Sequence, residues 1–212
     1  SQDDYNRSNF FLNISYFLNS KFTFNLSLIA ENQYMNKEYK KANKTLKNFK
    51  EEDQFYYWYR IKKEAQIILK QGSEEESLNY IKDKFNKIEK KNNKFFLDIA
   101  NFYRSLKEYE DAINYYTKIL DTIDENSEIK SDILYRRGGS YERLGIYGKA
   151  DKDLLHSLRI YPDDAYVLNY LAYSWLERNE KINEAINMLE KAYTLKSNDP
   201  YIIDSIGWAY YL

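Results

Sequence analysis

Residues 93–120 read NKFFLDIANFYRSLKEYEDAINYYTKIL. Within them Phe96, Ile99, Ala100 and Tyr103 recur at helical spacing, the pattern breaks at Lys107, and Tyr109, Ala112, Ile113, Tyr116 and Ile119 resume it. An apolar stripe that returns every three or four residues marks the buried side of an amphipathic helix. Two such stripes separated by a short break predict a pair of helices joined by a turn. Ala100 and Ala112 stand out because the other members of the stripes are bulky. In a chain this rich in large side chains, a position that stays small marks a place where two backbones approach closely.

Working outward, the same small site recurs at Ala30, Ala65, Ala100, Gly138, Ala172 and Gly207, with separations of 35, 35, 38, 34 and 35. A second series follows each member by twelve or thirteen residues at Ala42, Ser77, Ala112, Ala150 and Ala185, with Ser8 in phase before them. A period near 34 built from two amphipathic helices predicts helix–turn–helix units that stack on one another. Gly72 and Gly145 fall between the two helices of their units, and Asn179 takes that place one unit later. All three tolerate the left-handed conformation that ends a helix. The only two prolines, Pro162 and Pro200, fall at unit boundaries, in Tyr161-Pro162-Asp163-Asp164 and Ser197-Asn198-Asp199-Pro200, where Pro or Asp can start the next helix.

Composition agrees and excludes several alternatives. With no cysteine and a single histidine, His156, the 212 residues cannot assemble a zinc site, an iron–sulfur cluster, a disulfide framework or a Cys/His nucleophile pair. Six glycines and two prolines are too few for a β-sandwich or barrel with many tight turns, and 43% apolar content is too high for disorder. The stretch from Phe10 to Ala30 carries only Lys21 as a charge, but Asn or Ser interrupts it six times and the mean hydropathy of the chain is −0.78, so a membrane span is not predicted. Alternation at Phe22, Phe24, Leu26 and Leu28 has the look of a strand, yet the repeat phase puts Leu26, Ile29 and Ala30 on one buried helical face. Helix is predicted there, with Ser8, Leu12 and Ser15 on the inner side of the helix before it.

Leu168, Leu171, Ala172, Trp175, Ala185, Leu189 and Ala192, and in the unit before them Leu134, Gly138, Tyr141, Ala150, Leu154 and Pro162, resemble the tetratricopeptide repeat signature. The resemblance extends over essentially the whole chain. It implies an all-α, right-handed α-solenoid of stacked helix–turn–helix repeats. One solenoid over 1–212 is expected, with a half repeat at 1–22, repeats at 23–57, 58–92, 93–130, 131–164 and 165–199, and a half repeat at 200–212. Four extra residues, Ser127 to Lys130, follow the unit at 93, and one extra residue lies near Lys181. The phase begins and ends inside units, so the chain is expected to be a piece of a longer repeat protein. Ile202, Ile203, Ile206, Trp208, Tyr210 and Tyr211 are then expected to be uncovered and to promote self-association.

In this family the first helix of each unit lines a concave groove. Carried over by position, the groove set expected to bind a partner is Lys62, Lys63, Arg104, Arg136, Arg143, Tyr166, Asn169, Tyr170, Tyr173 and Trp208. Some family members clamp a terminal carboxylate; at the corresponding positions stand Lys62, Gln66, Asp98, Asp132 and Arg136, and the two aspartates would repel such a group. Neither a catalytic constellation nor a metal-ligand set nor a cofactor motif is present. Acidic clusters such as Glu74-Glu75-Glu76 lie at helix starts, where they favour the dipole. Lys37, Lys40, Lys41, Lys44, Lys47 and Lys50 form a basic stripe on a second helix, whose outer face is expected to be solvated and not to track nucleic acid. Residues 1–92 carry 17 basic and 13 acidic side chains (17 − 13 = +4) and residues 93–212 carry 15 and 20 (15 − 20 = −5), which also disfavours a phosphate-binding array.

The expected function is a non-enzymatic scaffold or adaptor that binds a protein or peptide in the groove. The alternatives are a regulatory or substrate-binding module of a larger enzyme or envelope assembly, and an RNA-binding helical repeat. The last two units resemble tetratricopeptide proteins of Gram-negative cell envelopes, which implies a periplasmic or envelope setting, with a cytoplasmic adaptor as the alternative.

Overall fold

A computed structural model describes residues 2–125 and 127–211; the expected outer limits, Ser1 and Leu212, lie outside the described residues. Among those described there are twelve α-helices and no strand. They are α1 (Gln2–Leu18), α2 (Phe24–Met35), α3 (Tyr39–Leu46), α4 (Gln54–Lys70), α5 (Glu74–Lys87) and α6 (Asn93–Ser105), followed by α7 (Tyr109–Leu120), α8 (Glu128–Arg143), α9 (Tyr147–Ile160), α10 (Ala165–Glu177), α11 (Ile182–Leu195) and α12 (Pro200–Tyr211). Two compact units divide the chain at 91/92, beside the expected repeat boundary. In each, consecutive helices pack pairwise, giving an all-α helical repeat fold.

The first unit contains α1 to α5. Its core gathers Leu26, Ala30, Ala42, Leu46, Phe49 and Ile67, with Trp58 packed against Phe85. The alternating stretch resolves as helix: α2 begins at Phe24 and buries Leu26, Ile29 and Ala30. Helix α1 meets α2 through a polar seam, where the Asn25 amide donates to Ser15 Oγ at 2.9 Å and the Asn32 amide donates to Ser8 Oγ at 3.1 Å. Ser8 and Ser15, expected on the inner side, are exposed and meet α2 only through these hydrogen bonds at the edge of the seam, while Leu12 is half-buried.

The second unit contains α6 to α12. Leu154, Leu171, Ala172, Trp175, Ala185 and Leu189 form its main cluster, and Ala165, Leu168, Ala192 and Ile202 form another. Ile202 was expected to be uncovered; it is fully buried, because the helical phase of α12 turns it onto α10 and α11. Ile206 is half-buried, while Ile203, Trp208, Tyr210 and Tyr211 are exposed.

Small residues set the separation of the helix pairs. Ala30, Ala65, Ala100 and Ala172 are fully buried, as are Ala42, Ala112 and Ala185 in the second series. At Gly138 an added Cβ would lie 3.0 Å from Leu154 Cγ and 3.2 Å from the Ala150 carbonyl oxygen. Gly207, at the same phase in α12, meets nothing within 4 Å.

Side-chain caps start four of the first helices, α2 having none, and left-handed turns lead into the second helices. Asp53, Asn92, Ser127 and Asp164 accept backbone N–H bonds at the starts of α4, α6, α8 and α10. Between paired helices φ is positive at Lys37, Gly72, Lys107, Gly145 and Asn179. At each of these the next residue's N–H bonds back to a carbonyl five residues earlier, as in Glu108 N to Tyr103 O at 3.0 Å, which closes the turn and caps the preceding helix. Lys181, which follows Asn179 in the last of these turns and caps α11, is left-handed as well, and none of the three lysines was evident from sequence, since Lys rarely adopts this conformation. Ser127 to Lys130 cap and open α8, which starts earlier than the expected boundary and runs 16 residues against 13 for α6 and α10.

Ala100→Leu should destabilise the protein by about 1–3 kcal/mol through overpacking. Lys37→Gly should stabilise it by about 0.5–1 kcal/mol by relieving the left-handed backbone. Urea titration of each variant checks both signs.

Candidate binding surface

In α8 the neighbours Arg136 and Arg137 diverge because successive residues are rotated by about 100° around a helix. Arg137 turns inward between helices. Its guanidinium donates to both Asp153 oxygens at 2.7 and 2.9 Å and to Thr117 Oγ1 at 3.0 Å, and Asp153 is buried. This pair fastens α8 to α7 and α9. Arg136 turns the other way, donating to Asp132 at 2.9 Å and to Asn101 Oδ1 of α6 at 3.3 Å. Tyr116 donates to the same Asn101 oxygen at 2.7 Å, and burial pushes its phenol up to about 12.

Three first helices meet around Gly139. A Cβ built there would lie 3.5 Å from the Tyr170 hydroxyl of α10 and 3.8 Å from Arg104 Nη2 of α6. The absent side chain is what lets a guanidinium and a phenol come together across α8. Tyr170 packs edge-on against Tyr135 with ring centroids 5.7 Å apart, and its hydroxyl donates to Glu142 at 2.8 Å. Burial, then that hydrogen bond, raises the Tyr170 pKa well above the ordinary phenol value. Arg143 stands beside Tyr170 and 3.5 Å from Glu142, which favours its charged form.

Arg104 is the electrostatically exposed member of this group. It is half-buried, and among the described residues no carboxylate lies within ion-pairing distance of its guanidinium. Burial without a partner charge is unfavourable, and an incoming anion would relieve it. A pocket of about 590 Å³ opens here, lined by Asn101, Arg104, Lys107, Tyr109, Arg136 and Arg143 among others, with no acidic side chain in its wall.

Of the expected groove residues, Arg104, Arg136, Arg143 and Tyr170 are therefore brought together. The rest are placed differently. Lys62 and Lys63 belong to the first unit; Lys63 is 8% exposed, paired with Glu31 at 2.7 Å and seated over the Tyr34 ring, because its position on α4 turns toward α2. Tyr166 reaches the α11–α12 turn, donating to Asp199 at 3.2 Å under Lys196. Tyr173 is exposed, Trp208 stacks on Tyr211, and Asn169 Oδ1 is buried without a donor among the described residues. Lys107 and Glu142 were missed as members of the candidate site, whereas Asn101 and Tyr135 fall on the groove side by first-helix position in the sequence, and Gly139, beside the small packing site, is read there as facing the concave side. Lys40, Lys41, Lys44 and Lys47 are exposed, as expected of a solvated stripe.

Among the described residues no group of three or more His, Cys, Asp or Glu could hold a metal, and no helix is long and apolar enough to cross a membrane. The tetratricopeptide repeat profile matches residues 94–125. A TPR repeat-containing protein of Pseudomonas aeruginosa is 35% identical over 80 residues, which cover 38% of this chain and 14% of that protein. Among solved structures, the APC/C hetero-tetramer Cut9–Hcn1 aligns with a TM-score of 0.65 at 14% identity, over 98% of this chain and 40% of that one. YrrB, described as a TPR protein with an unusual peptide-binding site, aligns with a TM-score of 0.57 at 14% identity, over 92% and 96%. Residues 94–125 thus match the tetratricopeptide repeat, the solved structures share the all-α repeat fold, and the chain spans a small part of the bacterial relative it matches.

Tyr170→Phe should destabilise the second unit by about 1 kcal/mol, since it removes the hydroxyl bonded to Glu142 while keeping the ring. Unchanged helical content with a lowered urea midpoint is the expected reading.

Proposed function

We propose that the face formed by α6, α8 and α10 binds a protein segment, and that the chain serves as a non-enzymatic interaction scaffold or adaptor. The observation that carries this reading is the half-buried Arg104 guanidinium, held without a partner carboxylate beside Arg136, Arg143 and Tyr170. A cationic surface next to an amphipathic phenol suits an acidic segment with an apolar or aromatic anchor. Support also comes from the fold, which YrrB shares and whose description names a peptide-binding site. The same surface would serve equally if the chain is a binding module of a larger protein. Lys63, already engaged by Glu31, has no part in this reading.

Binding of a partner isolated from the source cell tests it. Tyr170→Ala should weaken binding by about tenfold or more, as truncation of an aromatic anchor does. Arg136→Glu should weaken it most at low salt, because exposed charges are screened as ionic strength rises. If both variants bind like the parent while Lys44→Glu abolishes binding, the outer face is the working surface and the proposal fails.

A further inference from the structure

The seam between α6 and α8 carries a second pocket, at the opposite ends of the same two helices. It has a volume of about 490 Å³, and its wall is mainly apolar, with Leu97, Ile119, Ile129 and Ile133 forming it and Asn93, Lys94, Glu128 and Asp132 at its polar edge. Its existence follows from the four additional residues before 131. They start α8 early and place Ile129, 63% exposed, beside the pocket. An isoleucine so exposed at a pocket mouth has apolar surface left to cover.

The Asp132–Arg136 ion pair lies between the apolar pocket and the cationic one, each residue lining one of them. On α6 the two are marked by Leu97 and Arg104, and on α8 by Ile129 and Arg136, seven residues apart in both helices (104 − 97 and 136 − 129). At 1.5 Å per residue that is about 10 Å. A chain extended in the polyproline II conformation, at about 3.1 Å per residue and three residues per turn, covers the distance in about three residues and returns both side chains to one face. A helical ligand would need about seven.

Resting on the groove reading above, we infer that this seam selects an extended partner segment in which an apolar side chain and a side-chain carboxylate lie three residues apart. The apolar side chain fills the pocket beside Ile129 and the carboxylate neutralises Arg104. A carboxylate is favoured over a phosphoryl group by charge. Arg136 and Arg143 already share their charge with Asp132 and Glu142, which leaves Arg104, with Lys107 at the rim, to meet the incoming anion.

The test uses the whole chain and synthetic fluorescent peptides that carry one Leu and one Glu in an otherwise Gly/Ser/Ala background. Separation varies from one residue to seven and both orders are made, with anisotropy as the readout. The expected result is a maximum at a separation of three in one order, about tenfold above the neighbouring separations. That preference should vanish on Glu→Gln in the peptide, on Arg104→Gln and on Ile129→Asp, the last at an exposed site that leaves the fold intact. A maximum at seven, binding only when phosphoserine replaces Glu, or no binding by any peptide would overturn the inference. Equal binding at all separations that is still lost with Tyr170→Ala would overturn it while leaving the groove in place. Binding insensitive to every one of these substitutions would remove the groove reading as well.

Discussion

Each of the five helix pairs from α2–α3 to α10–α11 closes only if its two axes come near enough for the bulky neighbours to interlock, and a small residue on each helix sets that distance. Gly138 gives the clearest measure, since one added carbon would sit 3.0 Å from Leu154. Ala100 with Ala112, and Ala172 with Ala185, hold the same positions in their pairs. Where the second helix carries serine, the hydroxyl must find an acceptor in that dry contact. Ser77 donates to the Ala65 carbonyl at 2.6 Å, so the close approach itself supplies the bond that makes burial tolerable. Ser131 and Ser157 repeat the solution between α8 and α9.

Close approach imposes an order on the rest of the chain. Once the small sites are in register, each stripe of Leu, Ile and aromatic residues has one direction in which to bury, and the turn between paired helices must reverse the chain within a few residues. A left-handed residue does this at five places, three of which carry Gly or Asn. The opposite face of each first helix is then free of packing duty. That freedom is what allows Arg136 to turn toward Asn101 while its neighbour Arg137 is committed to Asp153. Structure and candidate function are divided between adjacent residues by helical rotation alone.

Much of this was legible in the sequence because it is periodic. The recurrence from Ala30 to Gly207, the glycines at 72 and 145, and the prolines at unit boundaries each reflect a steric requirement that few residue types satisfy. Helix starts at Asp53 and Ser127 were less legible, since a polar residue ahead of an apolar run can cap a helix or lie in a loop, and only the observed N–H bonds distinguish the two. Ile202 was misjudged for a related reason. Its exposure depends on which side of α12 meets α10 and α11, a matter of tertiary contact and not of local pattern.

For the candidate site the division is sharper. Sequence alone determined that Arg104, Arg136, Arg143 and Tyr170 belong to first helices at comparable phase, because phase follows from counting residues. It also excluded Cys-based and multi-histidine chemistry, because the donors are absent. Only the tertiary structure decided that Lys63 is spent on Glu31 and that Gly139 makes room for Arg104 and Tyr170 to converge. It alone decided, too, that Ile129 stands at the mouth of an apolar pocket. These depend on side chains from helices about 35 residues apart in the chain, the period of such repeats, and no local pattern records which of two possible partners such a side chain will meet.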